Sequence, residues 1–321
     1  MAGAGETMGW HRGELALQQR AGVDPARSAA ASAYTRAFLT PQQREFFPRL
    51  PFVVVGAVDG GGAPWATLLE GRPGFLQAPD PTQLRIAAQP AASDPARAGL
   101  RAGAAVGLLG IELQTRRRNR VNGTVAGVDG ASLTVAVGQA FGNCPQYIHT
   151  RDLAYVETAA GTDAPAEWLT VLDDAARAAI RRAATFFVAS YAEEGGRQVD
   201  VSHRGGRPGF VAVDGELLTI PDFAGNQYFN TLGNLFANPR AGLAFPDFAS
   251  GDLLQLTGSA EIVFDGPELA SFAGAQRLWR VRVERAVRRR NALHWRGAIR
   301  DESREAGRTG TWDGVGTLRG I

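Results

Sequence analysis

An internal repeat constrains this chain more than any other feature of its sequence. The string GRPGF occurs at positions 71–75 and again at 206–210, and the offset between the two occurrences is called the repeat shift below. A repeat this long indicates two copies of one domain, and a length of 321 residues agrees with two domains. The repeat shift also matches further landmarks in the same order, namely Val53 with Val188, Leu100 with Leu235, Gly107-Leu108 with Gly242-Leu243, Gly123 with Gly258, and Val128 with Val263.

Both copies have the hydrophobic patterning of β-strands. Short runs rich in Val, Ile and aromatic residues are separated by Gly-rich turns, as in residues 52–62. Three segments have helical patterns instead, at Pro25–Phe47, Glu167–Arg182 and Asn226–Ala237. We therefore expect a mainly β (α+β) fold with short flanking helices. The predicted strands are 52–55, 65–69, 84–88, 105–109, 121–128 and 133–137 in the first copy, and 186–190, 199–202, 210–213, 217–220, 243–245, 253–257 and 278–283 in the second.

Composition excludes several classes of protein. The single cysteine, Cys144, rules out an intrachain disulfide or a CxxC pair, and no histidine falls in an HExxH pattern, so we expect no metal site. The chain has no apolar run long enough to span a membrane, and the segment Met1–Arg20 lacks the apolar core of a signal peptide. We therefore expect no membrane partner and a cytoplasmic location.

All basic residues are arginines, because the sequence contains no lysine. Any anion must therefore be held by guanidinium groups, backbone N–H groups or neutral polar side chains. Arginines are concentrated at residues 116–120, where alternation along a strand would place Arg116, Arg118 and Arg120 on one side. The alternative interpretation is a solvated edge strand that deters sheet pairing. A second Arg-rich segment, 280–290, could contact nucleic-acid phosphates, but a net charge of only +2 argues against a nucleic-acid partner.

Three segments of the second copy form an ordered set. They are VDVSHRGG at 199–206, LTIPDF at 218–223, and GNQYFNTLGNL at 225–235 followed by Asn238-Pro239. This set resembles the FMN-binding split-barrel proteins related to pyridoxamine 5'-phosphate oxidase. The resemblance implies two tandem split β-barrels that form a pseudo-dimer within one chain, with FMN as the cofactor. It assigns flavin contacts to Val201, Ser202, His203, Arg204, Thr219, Asn226, Asn230 and Thr231 of the second copy, and to Arg116 and Arg118 of the first copy acting as its partner.

The sequence departs from that family at the phosphate site. Family members commonly carry an Arg-Lys pair at the start of the short helix, where this chain has Asn230 and Thr231. Backbone N–H groups at the helix start could hold a phosphate without a side-chain cation. Alternatively, Arg204 or the arginines of residues 116–120 could supply bidentate charge.

These observations give a domain plan and two leading functions. The plan is an N-terminal helical segment at 1–48, split-barrel repeats at 49–160 and 161–300, and a polar disordered tail at 301–321. The first function is an FMN-dependent oxidoreductase that moves a hydride between a flavin and either NADH, NADPH or another small organic substrate. The second is a non-catalytic flavin, deazaflavin or haem binding protein on the same fold. We expect either a monomeric pseudo-dimer or a homodimer.

Overall fold

The structure is a computed structural model that describes residues 9–157 and 165–314. Its described residues form two large antiparallel sheets with helices around them. Four short 3-10 helices lie at Phe47–Arg49, Pro95–Gly99, Ala306–Arg308 and Trp312–Gly314. The α-helices are α1 (Arg12–Arg20), α2 (Pro25–Ser32), α3 (Pro41–Phe46), α4 (Asp174–Arg182), α5 (Asn230–Ala237) and α6 (Pro267–Ser271).

The first sheet contains seven strands, which are separated by turns and loops. They are β1 (Phe52–Val58), β2 (Pro64–Glu70), β3 (Leu76–Gln77), β4 (Gln83–Ile86), β5 (Ala105–Glu112), β6 (Arg117–Asp129) and β7 (Ser132–Gly142). Three short strands follow, β8 (Thr150–Arg151), β9 (Ala154–Tyr155) and β10 (Glu167–Leu169).

The second sheet repeats the pattern of the first. Its seven main strands are β11 (Thr185–Ala192), β12 (Gln198–Gly205), β13 (Ala212–Asp214), β14 (Leu217–Phe223), β15 (Arg240–Pro246), β16 (Leu253–Val263) and β17 (Ala275–Arg289). The short strands β18 (Trp295–Arg296) and β19 (Ile299–Asp301) pair back onto β9 and β8.

Strand order confirms the two tandem barrels. The first sheet runs β2-β1-β5-β6-β7-β4-β3, and the second runs β12-β11-β15-β16-β17-β14-β13, with β10 added beside β17. The two orders are the same, strand for strand. Each sheet encloses its own apolar core, and a third apolar cluster combines side chains of both repeats, including Phe52 and Leu109 from the first and Phe187 and Phe248 from the second.

Two glycines show that the repeats meet through an internal two-fold relation. A Cβ at Gly107 would lie 2.7 Å from the carbonyl oxygen of Val199, and one at Gly242 would lie 2.3 Å from that of Pro64. The repeat shift converts each of these pairs into the other. Only glycine permits such close backbone approach. The chain therefore forms a pseudo-dimer whose two halves use the same surface, as in a homodimer interface.

Three expectations about elements are wrong. Glu167–Leu169 pairs with β17 instead of starting a helix, and α4 begins only at Asp174. Helix α5 begins at Asn230, because the preceding loop contains left-handed residues that end any helical run. Residues 301–314 are not a disordered tail, since they pack on the second repeat. Residues 315–321 of that predicted tail lie outside the described residues.

Candidate functional site

A cleft opens where the two repeats meet. Strand β6 of the first repeat supplies Arg118 and Arg120 to its wall, and strand β12 of the second supplies Ser202, His203 and Arg204. The loop that leads into α5, the end of β14 and residues 143–147 complete the lining. Its empty volume, including the part open to solvent, is about 910 Å³. Ligand sites commonly lie at interfaces between domains.

Arg120 is neutralised within the protein. Its guanidinium donates to Asp200 Oδ1 at 2.8 Å and makes a short hydrogen bond to the Ser202 hydroxyl. Asn122 and Asn234 also donate to the Asp200 carboxylate, at 2.7 and 3.0 Å. Asp200 therefore forms the centre of a buried network that fixes β6 against β12.

A second carboxylate pairs with two more arginines, at the rim of the cleft. Asp222 accepts from Arg204 Nη1 at 2.6 Å and from Arg277 Nη1 at 2.7 Å, one on each carboxylate oxygen. Charge-assisted hydrogen bonds of this kind are the stronger ones in proteins. The pair of arginines with one carboxylate leaves this rim with a net positive charge.

Arg118 is the cleft arginine that has no carboxylate partner among the described residues. Its Nε donates to the backbone oxygen of Cys144 at 2.5 Å, and it forms no ion pair within residues 9–157 and 165–314. Burial, followed by repulsion from Arg120, lowers the pKa of Arg118 to about 9, so the group stays charged at neutral pH. An unbalanced guanidinium inside a cleft is a binding position for an anion.

Buried polar atoms with no partner also face the cleft. His203 is 6 % exposed, and neither of its ring nitrogens has a hydrogen-bond partner in the described part of the chain. Burial, with added repulsion from Arg118, lowers the pKa of His203 well below its usual value, so the imidazole is neutral. Asn143 Oδ1 is likewise buried without a partner. Because unpaired buried polar groups cost free energy, such atoms mark where a ligand would supply the missing hydrogen bonds.

The loops around the cleft adopt strained backbone conformations. Tyr147, Gln227 and Phe229 have positive φ angles of 64°, 62° and 60°, and all three line the cleft. Non-glycine residues in this region cost about 1–3 kcal/mol each and cluster at functional sites. Their residue types carry no signal of this conformation, because none is the glycine or asparagine usual at such positions.

The start of α5 is held from the N-terminal segment. Asn230, its first residue, donates through Nδ2 to Glu14 Oε1 of α1 at 2.5 Å. Burial, followed by the charge of Asp200, raises the pKa of Glu14 to about 8. Phe229 precedes the helix without a side-chain cap, so the first N–H groups of α5 are not satisfied by a capping side chain.

The structure brings together most of the predicted site residues. Although alternation along β12 predicts opposite directions for Ser202 and His203, both line the cleft. The others that line it are Arg204, Asn226, Asn230, Thr231 and Arg118.

Three predicted residues lie elsewhere. Val201 is buried in the apolar cluster shared by the repeats. Thr219 pairs with Arg280 between β14 and β17 and does not line the cleft. Arg116 lies in the turn before β6 with a φ of 61°, and it donates to the backbone oxygen of Ile148 instead. The predicted alternation of the arginines fails at Arg116 because the strand begins one residue later.

Several cleft residues were not predicted. Asp222 and Arg277 meet across β14 and β17, which are far apart in sequence. Glu14, which does not line the cleft but holds the cleft residue Asn230, comes from a segment without a readable pattern. Asn143 and Tyr147 lie in the linking string FGNCPQYI, whose unusual composition was the available signal.

Two split barrels with a cationic cleft at their interface define this chain as a tandem split-barrel protein. A family model described as pyridoxamine 5'-phosphate oxidase matches residues 39–160 and again 172–298. The chain therefore belongs to the pyridoxamine 5'-phosphate oxidase family, with two copies of the family's domain. A comparison with curated protein sequences gave no significant match.

Solved structures of low sequence identity also align with parts of the chain. HupZ of Group A Streptococcus is 15% identical over 40% of this chain and 94% of its own, with a TM-score of 0.28. A putative pyridoxamine 5'-phosphate oxidase from Lactobacillus delbrueckii is 18% identical over 33% and 95%, with a TM-score of 0.27. A putative 5-nitroimidazole antibiotic resistance protein from Bacteroides thetaiotaomicron is 13% identical over 44% and 96%, with a TM-score of 0.26.

Two further features are absent from the described residues. None of their helices is long and apolar enough to cross a membrane. Within residues 9–157 and 165–314, no three His, Cys, Asp or Glu side chains are grouped so that they could hold a metal ion.

Proposed function

We propose that this protein is an FMN-dependent oxidoreductase that transfers a hydride between its flavin and a nicotinamide or another small organic substrate. The observation that carries the proposal is Arg118, a charged and unbalanced guanidinium inside the cleft between the repeats. FMN is an anion through its phosphate, and the family to which the chain belongs commonly binds flavin.

The residues present fit such a cofactor. Arg118 and the uncapped N–H groups at the start of α5 would hold the phosphate. The neutral imidazole of His203 has one donor and one acceptor nitrogen, and Asn143 presents an unsatisfied amide oxygen. These groups match the alternating carbonyl and N–H groups at the polar edge of a flavin ring.

The chain itself supplies binding, orientation and charge. When bound, a flavin accepts and donates the hydride, so the protein needs no dedicated acid or base for that step. The neutral state of His203 suits it to hydrogen bonding and not to proton supply at neutral pH.

A second candidate is a non-catalytic binding protein for flavin, deazaflavin or haem. His203 favours haem, because a buried neutral imidazole without a hydrogen-bond partner in the described structure could hold haem iron. Its neighbours disfavour haem, since Arg118 lies close enough to His203 to lower its pKa. The same arginines suit the phosphate of either a flavin or a deazaflavin.

Visible absorbance of the purified protein distinguishes these candidates. Flavin bands that bleach when NADH or NADPH is added without oxygen support the oxidoreductase. A haem Soret band, or flavin bands that persist with every reductant, support the binding protein. A colourless protein that also fails to bind added FMN contradicts the proposed function.

A further inference from the structure

The internal two-fold relation gives the cleft a counterpart at the other end of the interface. The repeat shift places Thr67 on Ser202 and Arg120 on Gln255. Both pairs occupy matching strands, β2 and β12 for the first pair and β6 and β16 for the second. The position around Thr67 and Gln255 is therefore where a second ligand would bind if the two halves were equivalent.

A third pair of residues corresponds through strand pairing. Arg118 in β6 and Leu253 in β16 are related by the repeat shift. The backbone oxygen of Arg118 accepts from the N–H of Asn143, and Leu253 pairs directly with Arg289. Asn143 in the cleft thus corresponds to Arg289 at the counterpart position.

The helices that follow also correspond, but the residues before them differ. The 3-10 helix at Pro95–Gly99 is preceded by Asp94, and α5 is preceded by Phe229, which the repeat shift matches to Asp94. Asp94 caps its helix by accepting from the N–H of Ala96 at 2.9 Å. Phe229 provides no side-chain cap.

The Asp94 carboxylate binds the counterparts of all three cleft residues. It accepts from Arg289 Nη1 at 2.7 Å, from Gln255 Nε2 at 3.0 Å, and from the Thr67 hydroxyl through a short hydrogen bond. The side chains of Asp94 and Arg289 are 1 % and 9 % exposed. An anion is therefore already present, paired and shielded from water, at the counterpart position.

We propose that Asp94 is a built-in anion that closes the second position, so that each chain has a single ligand site, in the cleft at Arg118. The identity of the ligand as FMN rests on the proposed function. The closure itself follows from charge, because a phosphate placed beside the buried Asp94 carboxylate would be repelled and would find Arg289 already paired. The two halves belong to one chain and can differ in sequence, so one half can lose its site while the other keeps it. Two identical subunits would keep both sites.

Binding stoichiometry is the first test. We expect titration of the full chain with FMN to saturate at one FMN per chain. Two FMN per chain would overturn the proposal.

Chemical rescue tests the built-in anion directly. The Asp94→Ala variant leaves Arg289 buried without a partner, and we expect its melting temperature to fall by roughly 5–10 °C. Formate, a carboxylate small enough for the space vacated, should restore a large part of that loss, while chloride at the same ionic strength should not. If the variant folds only in the presence of formate, the yield of folded protein with formate is compared with the yield with chloride.

Asp173→Ala is the matched control. Asp173 also caps a helix, α4, and also pairs with an arginine, Arg288, but its side chain is 43 % exposed. Formate and chloride should act alike on this variant, because water already reaches the site. Equal effects of the two salts on Asp94→Ala would overturn the built-in anion. The rescue experiment gives a result even if the protein binds no FMN. A failure of the proposed function can therefore be distinguished from a failure of the built-in anion.

Discussion

Two arginines of one strand show how local pairing decides what a residue can do. Arg118 and Arg120 both project from β6 into the cleft, and their sequence context is the same run of arginines. Arg120 is bound to Asp200 and serves the interface, whereas Arg118 has no carboxylate partner among the described residues and is the ligand-binding group in the proposed function. Sequence patterning predicts that arginines of this strand face the site, but only the partner from the other repeat distinguishes their roles.

Glu14 gives a prediction about pH at this scale. Its pKa is about 8 in the folded protein against an ordinary value of 4.5. Between these two values the folded state holds a proton that the unfolded state has lost, so this group's contribution falls as pH rises through that window. The loss is at most about 4–5 kcal/mol between pH 4.5 and pH 9.

The Glu14→Gln variant should remove this dependence. Glutamine keeps the size of the side chain and can still accept from Asn230, but it has no proton to lose. Urea unfolding across a series of pH values should show the variant gaining free energy of unfolding relative to the wild type as pH rises from about 4.5 to about 8, with no further gain above that. Parallel pH profiles of the two proteins would show that Glu14 ionises freely.

At the scale of elements, the structure differs most from the sequence-based prediction in the C-terminal segment. Residues 301–314 are polar and Gly-rich, a composition typical of disorder. A few anchors nevertheless hold them to the second repeat. Trp312 packs on Phe272 with ring centroids 4.8 Å apart, and its indole N–H donates to the backbone oxygen of Phe210 at 3.0 Å.

Replacing Trp312 with alanine should destabilise the second repeat by about 1–3 kcal/mol, since a half-buried ring contact and one hydrogen bond are lost. Urea unfolding measures the change. Val171→Ala, at a side chain that is 61 % exposed, is the matched control and should leave the midpoint unchanged. Equal stability of the two variants would mean that the segment does not anchor there.

Strands were predictable here, and the loops that shape the site were not. Runs such as Phe52–Val58 are wholly buried, so their hydrophobicity is continuous and easily recognised. The start of α5 was misplaced because Gln227 and Phe229 adopt left-handed conformations that their residue types do not suggest. Tertiary contacts impose such conformations, and a single sequence does not contain them.

The whole molecule is organised by its repeat, which was visible in the sequence as a constant shift. The shift predicted the shared strand order and the pseudo-dimer, because it matched glycines as well as apolar residues. The sequence also makes the two copies unequal, since the first has Pro95 where the second has Asn230 and alone carries the arginines of residues 116–120. It did not predict that Asp94 meets Arg289 from a distant part of the chain.

The glycine contacts between repeats give a prediction for the whole molecule. A Cβ at position 242 would lie 2.3 Å from the Pro64 carbonyl oxygen, which belongs to the backbone and cannot rotate away. Gly242→Ala should therefore push the repeats apart and cost about 1–3 kcal/mol in the free energy of unfolding. It should also weaken ligand binding in the cleft.

Gly127→Ala is the matched control for that substitution. Gly127 also lies in a strand, but a Cβ there would have no atom within 4 Å. Calorimetric melting of both variants decides the matter. A Gly242→Ala protein that melts with the wild type would contradict the close packing of the two halves.

Under the proposed function, the first repeat supplies the charge for a ligand bound on the second. Calorimetric titration of FMN and of riboflavin into the wild type, Arg118→Ala and Arg117→Ala tests it most directly, since riboflavin lacks the phosphate and Arg117 lies over the Phe46 ring, away from the cleft. We predict that Arg118→Ala weakens FMN by about 1.5–3 kcal/mol, or roughly 10- to 150-fold, and leaves riboflavin unchanged. Arg117→Ala should affect neither. Unchanged FMN affinity in Arg118→Ala, or an equal loss in both variants, would contradict the composite site.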